Sequence, residues 1–367
     1  MKLLHVVGAR PNFVKLAPIT RALRQLAPEV QQLVVHTGQH YDDRMSQAFF
    51  RDLEIPPADF NLGVGSGSHA DQTARVMLAL EPALLQQQPD WVLVVGDVNS
   101  TLAATLTAAK LGLKVAHVEA GLRSLDRTMP EEINRVVTDH LADLLFTTEP
   151  AANENLAREG IPPERCHLVG NVMIDTLVMS LAKTPERWPS LRQNIPSLPY
   201  LLATIHRPAT TESPENLEQI LLALGDLAQE RPVLFPLHPR TRQRISDYGL
   251  PLDTPNLKFM DPLGYLDFLT LLQHASAVIT DSGGIQEETT YLGVPCLTVR
   301  PNTERPITIS HGTNRLVTGE REAVVSATRA ALQHAATHPP PPPPDLWDGH
   351  AAERIADIML RTRAGKP

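Results

Sequence analysis

The sequence predicts an α/β protein built from two consecutive Rossmann-like parallel-sheet domains with a cleft between them. Short apolar runs alternate with longer amphipathic segments along the whole chain. The alternation occurs twice, on either side of a proline-rich stretch, and 367 residues are too many for one ordinary core. Such alternation implies right-handed βαβ units and parallel sheets covered on both faces.

In the first half, Leu3–Val7, Gln32–Val35, Trp91–Val95, Lys114–Val118 and Leu144–Thr147 read as strands. Val14–Leu26, Asp71–Gln86 and Thr101–Lys110 carry helical periodicity between them. In the second half, Tyr200–Ala203, Val233–Phe235, Leu257–Phe259, Ala277–Thr280 and Pro295–Thr298 are the strand candidates. The boundary is expected around Lys183–Pro199, where Pro185, Trp188, Pro189, Pro196 and Pro199 interrupt the periodicity, giving domains over 1–180 and 195–338. The unbroken run Pro339–Pro344 reads as a stiff polyproline spacer, and Ala351–Arg363 beyond it as a helix.

Bulk properties exclude several classes. With 42% hydrophobic and 20% charged residues the composition is globular, and no apolar run is long enough for a bilayer. Met1–Gly8 reads as a first strand, because Arg10 and Pro11 interrupt any signal-peptide core. A formal net charge of -8 argues against general affinity for nucleic acid or anionic lipid. The two cysteines, Cys166 and Cys296, lack metal-ligand spacing and fit a reducing compartment; a cytoplasmic location is expected.

The strongest local signal is Asp281-Ser282-Gly283-Gly284-Ile285-Gln286-Glu287-Glu288, directly after the apolar run Ala277–Thr280. Strand, glycine turn and helix in that order let backbone N–H groups approach an anion such as a diphosphate. Glu288, one turn into the helix, is placed to accept from sugar hydroxyls. The competing reading is a ligand-free turn capped by Asp281 or Ser282.

Ligands of open α/β sheets sit beyond the carboxyl ends of strands, and four polar clusters in the first half and two in the second suit such places. Gly8–Lys15 puts Arg10 and Lys15 at a helix start, where cations oppose the dipole; a bound anion or simple solvation would explain them. Asp97 follows Val95-Gly96 and is either functional or a helix cap. Glu119 closes an apolar strand, which is expensive unless the carboxylate is paired or used. Glu131 and Arg135 stand four residues apart after Pro130, as a helical ion pair or as substrate contacts. In the second half, His206-Arg207 and His238 with Arg240 follow apolar strands, and histidine suits proton transfer near neutral pH.

Together these segments resemble the non-hydrolysing UDP-N-acetylglucosamine 2-epimerases. The matching pieces are Gly8–Pro11 with Lys15 and Pro18, Thr37–His40, Gly96-Asp97, His117–Arg123, Pro130–Arg135, Gly170-Asn171, His206-Arg207, Asp281–Glu288 and Thr303–Pro306, in family order. The resemblance implies a GT-B fold whose terminal helix, here within 351–363, returns to the N-terminal domain. It implies that Ser282, Gly283, Gly284 and Glu288 hold diphosphate and ribose, that Arg305 adds charge there, and that Phe268 lines the uracil pocket. Arg10, Lys15, Arg135 and His238 become further substrate contacts. Asp97, Glu119, Glu131 and His206 match the family's acid–base positions. The reaction implied is epimerisation at carbon 2, by elimination of UDP to 2-acetamidoglucal and re-addition, with no metal or other cofactor. A homodimer is implied as well.

The chain departs from the family's substrate-regulated pattern after Gln39-His40, continuing Tyr41-Asp42-Asp43-Arg44, so the resemblance carries no expectation of allosteric activation. After His206-Arg207 it has Pro208-Ala209-Thr210-Thr211 where many bacterial members have an Arg-Glu pair. Relatives acting on UDP-diacetamido uronic acids share most of the motifs. The alternatives are therefore a 2-epimerase of such a sugar, a hydrolysing 2-epimerase, a GT-B glycosyltransferase or a non-catalytic UDP-sugar sensor.

Overall fold

The computed structural model describes residues 1–38, 57–193 and 195–362. Gln39-His40 and the residues after them, with the side chain of Arg10, lie outside the described residues. Contacts divide the chain into two compact units: Met1–Val178 with the chain from Asp345 onward, and Met179–Pro344.

Among the described residues, the first unit holds a seven-stranded parallel sheet in the order β3-β2-β1-β4-β5-β6-β7. Its strands are β1 (Lys2–Val7), β2 (Gln31–His36), β3 (Phe60–Asn61), β4 (Trp91–Val95), β5 (Lys114–Ala120), β6 (Leu144–Thr147) and β7 (Cys166–Leu168). The helices between them are α1 (Arg10–Leu26), α2 (His69–Gln87), α3 (Asn99–Lys110), α4 (Pro130–Leu141) and α5 (Pro150–Arg158), with α6 (Val172–Leu181) running across the division. Strands β1 and β4 are buried almost throughout, as a sheet covered on both faces requires. The order reverses between β1 and β4, which makes their carboxyl ends the switch point where such sheets take ligands.

The second unit repeats the plan with six strands among the described residues, in the order β10-β9-β8-β11-β12-β13, all parallel. They are β8 (Leu201–Thr204), β9 (Val233–Pro236), β10 (Leu257–Met260), β11 (Ala277–Thr280), β12 (Cys296–Val299) and β13 (Asn314–Val317). The helices are α7 (Thr184–Arg192), α8 (Pro208–Thr211), α9 (Pro214–Ala228), α10 (Pro239–Asp247), α11 (Tyr265–His274), α12 (Gly283–Leu292), α13 (Ile307–Ser310) and α14 (Arg321–Thr337). Here the switch point lies between β8 and β11. A buried cluster including Leu217, Ile220, Leu224, Phe235, Ile279 and Val324 fills one face of the sheet.

Proline largely sets the helix starts. It occupies the first turn of α4, α5, α9 and α10, where its missing N–H has no intrahelical partner to lose. The same placement of Pro185 explains why the proline-rich stretch expected only to break periodicity contains α7, which packs on α11. Strands β3, β7 and β13 escape the apolar-run criterion for one reason. They are short edge strands, and each leaves residues partly or fully exposed.

The last helix, α15 (Ala351–Thr362), belongs to the first unit and packs on α1. Ala351, Ala352, Ile355, Ala356 and Met359 form its buried stripe at helical spacing. Its N-terminus is capped from another element: Asp175 of α6 accepts from the Ala351 N–H at 3.1 Å and the Ala352 N–H at 2.6 Å. Burial nevertheless pushes the Asp175 carboxyl up to about 6. Next to it, the Thr176 hydroxyl donates to the carbonyl of Val14 in α1 at 2.6 Å. Among the described residues, no helix is long and apolar enough to cross a membrane.

Candidate functional site

In the first unit the groups gather at the carboxyl ends of β1, β4 and β5. Asn12, in the first turn of α1, fixes the turn after β1: its carbonyl oxygen accepts from the N–H groups of Gly8 and Ala9, and its amide donates to the Val95 carbonyl at 2.8 Å. This binds β1 to β4 across the switch point. Lys15, further along the same helix, is buried and ion-paired with Glu119. The cation at the helix start is thus a buried partner of a carboxylate and not a solvated charge.

Glu119 is 4% exposed and sits where the register of β5 against β6 slips. Its φ of 73° is left-handed, a conformation uncommon for a residue with a side chain. Non-glycine backbone in that region is held by its surroundings at a cost of about 1–3 kcal/mol and recurs at functional sites. Gly96, φ 69°, passes directly beneath the pair: a Cβ there would stand 2.9 Å from Lys15 Nζ and 3.3 Å from Glu119 Oε2. Only glycine provides both that conformation and that clearance.

Asp97 is not a helix cap. Residue Val98 occupies the N-cap of α3 without a side-chain bond, while Asp97 Oδ2 takes two donors from Arg135, at 3.1 and 2.8 Å. The partner of Arg135 within α4 is Glu132, three residues back at 2.6 Å, and not the Glu131 that i,i+4 spacing suggests. Glu132 is buried and also accepts the backbone N–H groups of Ser124 and Leu125. Glu131 is half-buried. The sequence could have revealed Glu132, since it occupies the third helical position after Pro130, where acidic side chains reach back to preceding N–H groups.

In the second unit, the carboxyl ends of β8 and β11 are joined by Asp281. Its fully buried carboxylate accepts the N–H of His206 at 3.1 and 3.0 Å and that of Arg207 at 2.8 Å, and lies 3.2 Å from His206 Nδ1. Burial works to raise this carboxyl, but the His206 bond and charge and the two backbone donors outweigh it and hold it below its usual range. Asp281 therefore does not cap α12, and neither does Ser282, which stands at the N-cap without a side-chain bond. The first turn of α12, starting at Gly283-Gly284, presents its N–H groups uncapped by side chains, as an anion site needs. His206 is exposed, with its ring centroid 6.1 Å from that of His238, which caps α10.

Arg305 closes on the same turn. It pairs with Glu304 and, at 2.9 Å, with Glu287, and a Cβ on Gly283 would come within 2.8 Å of its Nη1. Glu288 is buried and accepts from the Tyr265 hydroxyl at 3.0 Å. Burial pushes Glu288 up to about 7; the Tyr265 bond opposes the shift and the neighbouring Glu287 charge adds to it. Tyr265 gives no sequence signal, because it meets Glu288 only through the packing of α11. Phe268, also on α11, is half-buried.

The pH dependence follows. The native value of Glu288 lies above the ordinary 4.5, so the folded state keeps a proton that the unfolded chain releases between 4.5 and about 7. Stability is fully present below that window and declines as pH rises through it. Glu288→Gln, which still accepts from Tyr265, is expected to melt above the unsubstituted protein at pH above about 7, with the difference shrinking towards about pH 4.5. Thermal melts of both proteins across that range check this.

Comparison with known proteins agrees with the geometry. The model of the UDP-N-acetylglucosamine 2-epimerase family matches residues 21–360. A Methanococcus maripaludis protein named UDP-N-acetylglucosamine 2-epimerase homolog is 44% identical over 330 residues, covering 89% of this chain and 91% of its own length. The UDP-2,3-diacetamido-2,3-dideoxy-D-glucuronate 2-epimerase of Pseudomonas aeruginosa is 40% identical, over 98% of this chain and all of its own. The crystal structure of Methanocaldococcus jannaschii UDP-GlcNAc 2-epimerase, in complex with UDP-GlcNAc and UDP, superposes with a TM-score of 0.89 at 39% identity, covering 98% of this chain and 100% of that one. With two parallel-sheet α/β units of GT-B type and a family match over most of its length, the chain belongs to the UDP-N-acetylglucosamine 2-epimerase family.

Proposed function

We propose that this chain interconverts UDP-N-acetylglucosamine and UDP-N-acetylmannosamine without a cofactor, by elimination and re-addition of UDP. The carbon-2 proton of a pyranose is not adjacent to a carbonyl, so simple abstraction is implausible. Instead a base takes that proton as the bond between carbon 1 and the UDP oxygen breaks, leaving 2-acetamidoglucal and UDP. An acid then returns a proton to carbon 2 from the other face while the UDP oxygen re-forms its bond to carbon 1. Nothing is gained or lost, and carbon 2 is inverted.

The observation that carries this reading is Glu119, a buried carboxylate in a left-handed conformation at a sheet switch point, paired with Lys15 over Gly96. Glu119 suits the proton-transfer base, with Lys15 as its counter-charge. Asp97, Glu131 and His206 are the remaining acid–base candidates, and Arg135 orients Asp97. The uncapped first turn of α12 with Ser282, Gly283 and Gly284 suits the departing diphosphate, supported by Arg305; Glu288 suits the ribose. Phe268, His238, Arg10 and Lys15 complete the proposed substrate contacts. The complex of the M. jannaschii relative with UDP-GlcNAc and UDP supports this choice of substrate. A cytoplasmic homodimer belongs to the same proposal.

A second substrate is favoured by a specific observation: the 40% identity to the P. aeruginosa enzyme, together with the altered segment after Arg207. One experiment addresses both. Purified protein is incubated with UDP-GlcNAc, or with the diacetamido-glucuronate nucleotide, in deuterated water and followed by proton NMR. The expected result is UDP-ManNAc with solvent deuterium at carbon 2. Epimerisation without deuterium sinks the elimination route, free ManNAc with UDP indicates hydrolysis, and turnover of the uronate alone moves the substrate assignment.

A further inference from the structure

His117 lies in the middle of β5 with no solvent exposure, and the proposed chemistry does not use it. Each of its ring nitrogens faces an acceptor. Nδ1 stands 2.7 Å from Asp139 Oδ1, and Nε2 stands 2.9 Å from the carbonyl oxygen of Gly96. A carbonyl oxygen can only accept, so the Gly96 contact requires a proton on Nε2. Leaving such a buried polar contact unmade is destabilising.

Charged groups hold the other side of the ring. Asp139 also receives Arg123 at 2.7 Å and the Gly121 N–H at 3.0 Å through its other oxygen. Burial works to raise this carboxyl, yet His117 and Arg123 together hold it below its usual range. Arg123 pairs in turn with Glu159 at 2.7 Å, and His140 lies 3.8 Å from Glu159. Arg165 reaches only main-chain carbonyls there, among them that of Asp139 at 3.4 Å. On the far side of Gly96 stand Lys15 with Glu119, and Asp97 with Arg135.

We propose that His117 is a positioning residue that, held between Asp139 and the Gly96 carbonyl, fixes the peptide between Gly96 and Asp97. The Gly96 N–H already donates to the Val118 carbonyl at 3.0 Å, so the His117 bond to its C=O clamps Gly96 to β5 at both ends. That clamp sets the backbone on which Lys15 and Glu119 close, and the plane from which Asp97 departs towards Arg135. Its activity arm rests on the proposed epimerase reading; its ring-proton arm does not.

The test is NMR of the full chain carrying 15N-labelled histidine, with the His117 ring signals assigned by their loss in His117→Gln. Nε2 is expected to carry the proton that it donates to the Gly96 carbonyl oxygen. In parallel, His117→Asn places an amide near Nδ1 and loses the Gly96 contact, whereas His117→Gln places one near Nε2 and keeps it. His117→Asn should lower kcat about 100-fold with KM changed less than about threefold, and His117→Gln should lose less than about tenfold. A bare Nε2, or equal turnover in the two variants, overturns the proposal. Should His117→Asn not fold, the ring signals alone decide, and they do so even if UDP-GlcNAc proves not to be the substrate.

Discussion

Glu119→Gln is expected to reduce kcat by a factor of about 100 to 10,000, the span a positioned acid or base contributes. Affinity for UDP should change less than about tenfold, because the proposed diphosphate contacts lie on α12 in the other unit. The substitution also leaves Lys15 buried without its carboxylate, and breaking such a pair commonly costs about 3–5 kcal/mol. Turnover alone does not distinguish lost chemistry from lost fold, so the double variant Lys15→Gln/Glu119→Gln separates the two. It removes both charges and should recover most of the thermal stability while remaining inactive. The readouts are proton NMR of UDP-GlcNAc turnover, calorimetric titration with UDP, and thermal melts. Turnover by Glu119→Gln within tenfold of the unsubstituted protein would remove Glu119 from the chemistry.

Gly96→Ala is expected to cost both stability and turnover. A left-handed φ costs a residue with a side chain about 1–2 kcal/mol, and here the new Cβ also meets Lys15 Nζ at 2.9 Å and Glu119 Oε2 at 3.3 Å. Gly112 supplies the control, with the same φ of 69° and nothing within 4 Å of an added Cβ. Gly112→Ala should show the conformational penalty alone and keep its turnover. Gly96→Ala should lose additional stability and at least about tenfold in kcat, since displacements near 1 Å at a reacting centre cost about 100-fold. Equal stability and equal turnover in the two variants would mean that Lys15 and Glu119 yield without consequence.

The architecture was legible because buried parallel strands write themselves as apolar runs. Trp91–Val95 and Ala277–Thr280 are recognisable for that reason, and both border switch points. The clusters at strand ends were legible too, since Gly96-Asp97 and Asp281–Glu288 break the apolar pattern abruptly. What local sequence cannot carry is pairing over distance. Asp281 could be read as a cap for its own helix, whereas it bonds the backbone of residues 206 and 207 across the sheet. The partner of Arg135 was one residue away from the reading, because i,i+3 and i,i+4 positions share a helical face and only packing selects between them. Tyr265 and Asp139 were invisible, as nothing next to either residue announces the group it meets from another element.

The return of α15 to the first unit, anchored through Asp175, has a consequence for biosynthesis. Helix α1 is made long before the helix that covers it. Until α15 has followed, the face of α1 that it packs against stays wet, and α1 is the helix carrying Asn12 and Lys15 to the strand ends. Loss of α15 would therefore injure a unit whose sheet lies hundreds of residues upstream of it.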